Sequence, residues 1–257
     1  MRASIDVCGC FPTGRHYPGI ADRLARTLPA VEGLATDVVS STHWATHALA
    51  VIDFETTGLN PQTDRIVEVG VARFVGGQLT GLDSWIVNPG VPLSAEARAI
   101  HKISDEEITR SPAFATILPE LRERLLGHLP VAYNAGFDRA FLRAELARGG
   151  AVPGKGADAA QPAAFEADVV WIDPLVWSRE LFRNDGRTHK LSDACARLGI
   201  AHEVTHRAAS DAEAAGRVLL ALAARMPASY GELIRLQVQS AARQEIDLAS
   251  RRRPTTT

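Results

Sequence analysis

Cysteine is scarce: Cys8, Cys10 and Cys195 are the three in 257 residues. Three thiols cannot build a disulfide framework, which fits a reducing compartment. Cys8 and Cys10 form a lone C-x-C, a poor basis for a metal site. No apolar run reaches the length a membrane-spanning helix needs. The opening "MRASIDVCGCF" is short and broken by Asp6, so it does not read as a secretory signal. Excess positive charge is also missing. The net charge is -2, so a nucleic-acid partner would need a local patch or metals to hold it. Internal repeats are absent. The expectation is a soluble cytoplasmic protein with no membrane partner.

What is present is enough for a core. Hydrophobic residues make up 46% of the chain and charged residues 23%, the balance of a globular protein. The length suits one large domain with appendages. Residues 1–46 read as an N-terminal appendage, with "PGIADRLARTL" as a short helix. From Ala48 the pattern tightens. Ala48–Phe54 is apolar on both faces and predicts a central strand. Ile66–Phe74 and Gly81–Val87 predict two more strands around the turn "VGGQ". Short turns make these three antiparallel neighbours. Helices are expected near Ser104–Ile108 and over Ala113–Leu126, Asp138–Arg148, 191–199 and 211–226. "PVAYN" (130–134) and "ADVVWID" (167–173) predict two further strands. Residues 149–165 are rich in Gly, Ala and Pro and predict a flexible insertion with little to bury. Ser229 and Glu232 form a capping box opening a last helix, within a C-terminal segment 228–257 that ends in a basic tail. From residue 229 onward five arginines face three acids, Glu232, Glu245 and Asp247. A meander followed by alternating strands and helices implies an α/β domain with a mixed sheet over residues 47–227.

The stretch "ALAVIDFETTGLNP" (48–61) places two carboxylates, Asp53 and Glu55, at the end of an apolar strand. D-x-E spacing alone is weak, since it recurs at Asp105/Glu107 and Asp211/Glu213. Context separates the first pair. Residues i and i+2 on a strand share a side, and at a strand end beside a glycine turn that side opens onto a crevice. Two unpaired carboxylates there repel, and hard divalent cations such as Mg²⁺ or Mn²⁺ relieve the repulsion. A further acid, Asp138, follows the strand in "VAYNAGFDRAFLRAEL". Another, Asp211, opens an apolar helix five residues after His206, the one H-x4-D in the chain. His43 and His47 have i,i+4 spacing but read as a solvated pair.

In order, "DFETTGL", "YNAGFDRAFL" and "HRAASD" resemble the DEDDh, or DnaQ-like, 3′–5′ exonucleases. That group includes the proofreading epsilon subunit of bacterial DNA polymerase III, ribonuclease T and oligoribonuclease. The resemblance runs over residues 47 to 226. "DRIVEVGVARF", "IVNPGVPLSAEARAIHKISDEEI", "DPLVWSRELF" and "HKLSDACARLGI" are similar to its polymerase-proofreading branch. Tyr133 departs from the histidine common before Asn134. The resemblance implies a ribonuclease H-like fold with a mixed five-stranded sheet, three antiparallel strands plus two parallel, flanked by helices. It implies that Asp53, Glu55, Asp138 and Asp211 hold two divalent cations, Mg²⁺ or Mn²⁺, and that His206 is the general base. It places Thr56, Thr57, Gly58, Leu59, His101 and Asn134 at the substrate. Glu68, on the second strand facing the first, reads either as a residue behind the acids or as half-buried and paired, and His189 and Lys190 read as positive charge near phosphate. The implied function is release of nucleoside 5′-monophosphates from single-stranded ends, DNA before RNA, with a DNA polymerase subunit as a candidate partner. A stand-alone DNase or RNase, and a catalytically silent nucleic-acid-binding scaffold, are the alternatives.

Overall fold

The computed structural model describes residues 32–149, 160–183, 185–203 and 206–251. The predicted helix in "PGIADRLARTL" and the end of the basic tail lie outside them. At the centre is a four-stranded mixed sheet in the order β3-β2-β1-β4. β1 (Leu49–Thr56), β2 (Ile66–Val75) and β3 (Gln78–Ile86) form the antiparallel meander, and β4 (Leu129–Val131) runs parallel to β1. Gly76 and Gly77 turn the β2–β3 hairpin with φ of 57° and 78°, angles that glycine adopts without a steric cost.

The expected fifth strand is not formed. Residues 167–173 make a single parallel bridge, Val131↔Ile172. Ile172 N–H donates to Pro130 O and Ala132 N–H to Ile172 O. The next donors along this ladder would be residue 130 on one side and residue 174 on the other. Both are prolines, with no N–H to give. Val170 N–H turns instead to Gly33 O, and Pro174 starts a helix.

Eight α-helices are described: α1 (Ala95–His101), α2 (Asp105–Arg110), α3 (Phe114–Leu125), α4 (Ala135–Arg148), α5 (Pro174–Leu181), α6 (Leu191–Leu198), α7 (Ala208–Leu222) and α8 (Tyr230–Arg251). None is long and apolar enough to cross a membrane. β1 is covered on both faces, as its unbroken apolar run requires. Leu49 and Val51 join a core with Val218, Leu219 and Leu222 of α7, whereas Ala50, Ile52 and Phe54 join a second core with Phe141 and Leu142 of α4. The boundary expected at residue 46 does not coincide with a change in packing. Ala35 and Trp44 are buried in the α7–α8 core, and Trp44 Nε1 donates to Pro227 O at 2.8 Å. The expected insertion also narrows at its end: Ala164 and Phe165 are buried against β4 and α4. Residues 150–159 lie outside the described residues.

Candidate active site

Asp53 and Glu55 fall on the β1 face that carries Leu49 and Val51, the face α7 covers. α7 approaches closely because Asp53 pairs across the sheet with Gly70. A Cβ on Gly70 would come within 2.1 Å of the Ala208 carbonyl carbon, so only glycine lets the start of α7 lie on the sheet here. That approach brings Asp211, in the first turn of α7, to the acids. One ligand atom each from Glu55, His206 and Asp211 lies within 4.8 Å of the other two. Asp53 and Asp138 are not in that tightest group.

Asp138 arrives from the other side. β1 runs past its last pairing with β4 at Val51, which leaves Phe54 N–H without a strand partner there. Asp138 Oδ1 accepts that N–H at 3.1 Å. The turn before α4 holds Asn134 at φ 71°, ψ 49°, a left-handed conformation asparagine tolerates better than most residues. The backbone N–H groups of Asn134 and Ala135 both donate to the Asp173 carboxylate at 3.0 Å. Gln237 of α8 accepts from Asp173 N–H and donates to Trp171 O. Glu145, 3% exposed, binds Arg65 through two hydrogen bonds and braces α4 against the β1–β2 loop.

His206 has φ 49°, a strained position for a residue with a Cβ. Its neighbour Arg207 makes a bidentate pair with Glu68, which also accepts from Ser84 Oγ at 2.8 Å and from Ala208 N–H at 3.3 Å. The suspected place of Glu68 behind the acids is therefore resolved: it clasps the segment that carries His206 and the N-terminus of α7. The pairings of Arg207 with Glu68 and of Asp173 with Gln237 have no signal in the sequence, because the partners are distant along the chain. His202 was also missed. Its Nε2 lies 3.3 Å from Asp211 Oδ1, in ion-pair range but not aligned as a hydrogen bond.

The acids are electrostatically uncompensated. Desolvation by the surrounding protein, then the charges of Asp211 and Glu68, raise Asp53 well above the carboxylate range. Desolvation and then Asp53 push Glu55 up to about 9, opposed in part by Arg207. Burial, then Asp53, raise Asp138; burial raises Asp211 against the pull of His202 and His206. Arg207 draws on Glu55 but is engaged by Glu68. Hard oxygen donors that resist ionising unaided fit divalent cations. A testable consequence follows for the metal-free protein. A carboxyl whose folded pKa is raised binds more protons folded than unfolded, so stability falls as pH rises through that interval. In EDTA the melting temperature should drop between about pH 4.5 and 9, the span of the Glu55 shift. Added Mg²⁺ or Mn²⁺ should flatten the decline. A pH-independent melting curve in EDTA would contradict this picture.

The remaining predicted residues divide. Thr56 Oγ1 donates to Gly58 O, Thr57 is buried against Asp64 and Arg65, and Leu59 projects outward at 83% exposed. Together they rim the end of β1. His101 Nδ1 accepts Ile103 N–H at 3.3 Å. It is buried at the end of α1, its Nε2 has no hydrogen-bond partner, and desolvation lowers its pKa while Glu68 and Arg207 act on it. His189 and Lys190 line a cavity beside His206 and Asp211. His43 and His47 take part in local turn contacts with Ala45 and Thr42.

Comparison with known proteins gives a consistent picture. Residues 50–219 match the model of the family RNase_T, described as "Exonuclease". A PolC-type DNA polymerase III from Thermotoga maritima is 29% identical over 190 residues, which is 74% of this chain and 13% of that protein. The chain thus spans about an eighth of the length of the curated relatives it matches. Among solved structures, Exonuclease X in complex with 5′ overhanging duplex DNA aligns with a TM-score of 0.54 and 22% identity, over 74% of this chain and 99% of that one. E. coli Exonuclease I in complex with a dT13 oligonucleotide aligns with a TM-score of 0.57 and 19% identity, over 68% of this chain and 41% of that one. These two likenesses establish the α/β exonuclease fold, with its mixed sheet and flanking helices.

Proposed function

We infer the function from one premise: the chain belongs to the RNase_T exonuclease family, the DnaQ-like group its motifs resemble. We propose that it is a metal-dependent 3′–5′ exonuclease of the polymerase-proofreading type. It would release nucleoside 5′-monophosphates from single-stranded DNA ends, with a DNA polymerase subunit as its partner. The observation that carries this is the convergence of Glu55, His206 and Asp211 within 4.8 Å, beside two more carboxylates held at raised pKa.

Asp53, Glu55, Asp138 and Asp211 would hold two divalent cations. When bound, such cations acidify a water and offset the charge that develops on the scissile phosphate. His206 would take the proton from the attacking water. The backbone at Thr56–Gly58 and the exposed Leu59 would receive the terminal nucleotide, with His101 and Asn134 completing its surroundings. The Glu68–Arg207 clasp fixes the loop of the base, so His206 is oriented before substrate arrives. DNA is put before RNA because the sequence relative is a DNA polymerase. A stand-alone nuclease is the second reading, favoured by the coverage of Exonuclease X, whose chain aligns over 99% of its length.

The test is a matched pair of internally labelled DNA and RNA oligonucleotides. With Mg²⁺ or Mn²⁺ the DNA strand should shorten from its 3′ end and yield 5′-monophosphates, and EDTA should stop the reaction. Undiminished cleavage in EDTA would sink the two-cation reading. Faster cleavage of the RNA would replace the proofreading reading with the ribonuclease one.

A further inference from the structure

α8 lies beyond the region that matches the family, which ends at residue 219. Its Gln237 is 4% exposed. Gln237 Oε1 accepts Asp173 N–H at 2.9 Å and Trp177 Nε1–H at 3.2 Å, and its Nε2 donates to Trp171 O at 2.8 Å. One amide thus holds both the stretch before α5 and the helix itself. The carboxylate of Asp173, also buried, accepts three backbone N–H groups: Asn134 and Ala135 at 3.0 Å and Leu175 at 2.8 Å. It makes no ion pair among the described residues. It caps two helices at once, α4 and α5, and the amides at both N-termini stabilise its charge. The α4 end depends on this cap. Asn134 precedes α4 in a left-handed conformation, and its own side chain makes no capping bond. Such backbone persists only where the surroundings over-determine it. Asp138 lies in the first turn of α4, so the set of that turn decides how its carboxylate meets the cleft.

We propose that Gln237 and Asp173 are positioning residues for the cation site. Gln237 fixes Asp173, Asp173 fixes the left-handed turn at Asn134, and that turn fixes Asp138. The proposal rests on the exonuclease reading, which supplies the cations. Neither residue touches a cation or the substrate; each acts through the backbone of the next. Packing alone does not call for an amide at this place in α8. Tyr230, Leu233 and Ile234 already bury the apolar face of the helix, and a buried amide costs free energy unless its hydrogen bonds are met. Those of Gln237 are met, and they go to Trp171, Asp173 and Trp177. α8 thus becomes part of the catalytic architecture, a brace for one carboxylate supplied from outside the matched domain.

The test uses the full chain. Gln237→Met keeps the length and volume of the side chain and removes its hydrogen bonds. Asp173→Asn keeps the shape but turns an NH₂ toward one of the three N–H donors. Each variant should weaken Mn²⁺ binding in a calorimetric titration by roughly 10-fold or more, the scale for partners that orient metal ligands. At subsaturating Mn²⁺, kcat on a single-stranded oligothymidylate should fall by a similar factor while KM keeps its wild-type value, and excess Mn²⁺ should restore most of the rate. In EDTA, amide exchange at Asn134 and Ala135 should quicken, reporting a loosened turn. Leu233→Ala is the control. It removes a buried apolar side chain from the same helix, and it should lower the melting temperature while leaving Mn²⁺ affinity as in wild type. If Asp173→Asn does not fold, Gln237→Met decides alone. Unchanged Mn²⁺ affinity in Gln237→Met, or a loss that Leu233→Ala matches, overturns the proposal and leaves the exonuclease reading intact. If wild-type protein binds Mn²⁺ but cleaves no strand, the exonuclease reading fails, and the titration still decides whether Gln237 and Asp173 hold Asp138.

Discussion

Asp53→Asn is expected to reduce exonuclease activity by about 10³-fold or more while making the metal-free protein more stable. The two effects have one cause. Asp53 is held above the ordinary carboxylate range first by desolvation and then by Asp211 and Glu68, so its charge is a cost in the absence of cations. An amide of the same shape removes that cost. It also removes a hard, charged oxygen from the cation site, where several kcal/mol of transition-state stabilisation are supplied, and each 1.36 kcal/mol is a factor of ten in rate. Glu55 should respond as well, because Asp53 is the largest charge raising it; its pKa should fall in the variant. Asp53→Ala should lose activity equally but gain less stability, since it leaves a void beside Gly70. Calorimetric titration with Mn²⁺ and melting curves in EDTA separate these outcomes. A variant that still binds Mn²⁺ like wild type and turns over at more than a tenth of its rate would show that Asp53 is not a ligand. A variant destabilised in EDTA would show that its charge is compensated in some other way.

The acids and the histidine of the candidate site stand out in the sequence because each is a local signal. Asp53 and Glu55 end an apolar strand, Asp138 enters a helix after a short strand, and His206 stands five residues before Asp211. The scaffold that aims them was less legible. Glu68 and Arg207 are separated by 139 residues and Asp173 and Gln237 by 64, and nothing in either segment advertises the pairing. Other misses had a signal in plain view. Pro174 follows the stretch expected to be a fifth strand and Pro130 sits opposite it on β4, and each removes one ladder bond. Asp173 followed by Pro174 is a helix start, since the Asp173 side chain accepts Leu175 N–H at 2.8 Å. Ser94 likewise caps α1 through Ala97 N–H. The packing ahead of residue 46 was hard to read for a different reason. Trp44 and Ala35 look like isolated apolar residues in a polar stretch, and only contact with α8 makes them core.

His206→Ala should slow the chemical step by roughly 10²–10⁴-fold, the usual share of a positioned general base, and leave cation binding in place. The geometry makes this a sharp question, because His206 lies within 4.8 Å of Glu55 and Asp211 and could itself be a ligand. Alanine does not relieve the backbone, which keeps φ at 49° for a residue with a Cβ, and the Glu68–Arg207 clasp still fixes the loop. The loss should therefore report the imidazole and not a rearrangement. His202 should not take over the role, since its Nε2 is already within 3.3 Å of Asp211 Oδ1. Some rate should survive, because a cation-bound water is acidic without help. That residual rate should climb with pH as hydroxide replaces the missing base. Single-turnover kinetics across pH, paired with a Mn²⁺ titration, give the answer. Wild-type turnover at neutral pH would remove His206 from the mechanism. Loss of Mn²⁺ affinity matching the loss of rate would make it a ligand, leaving the proton to be taken by another group.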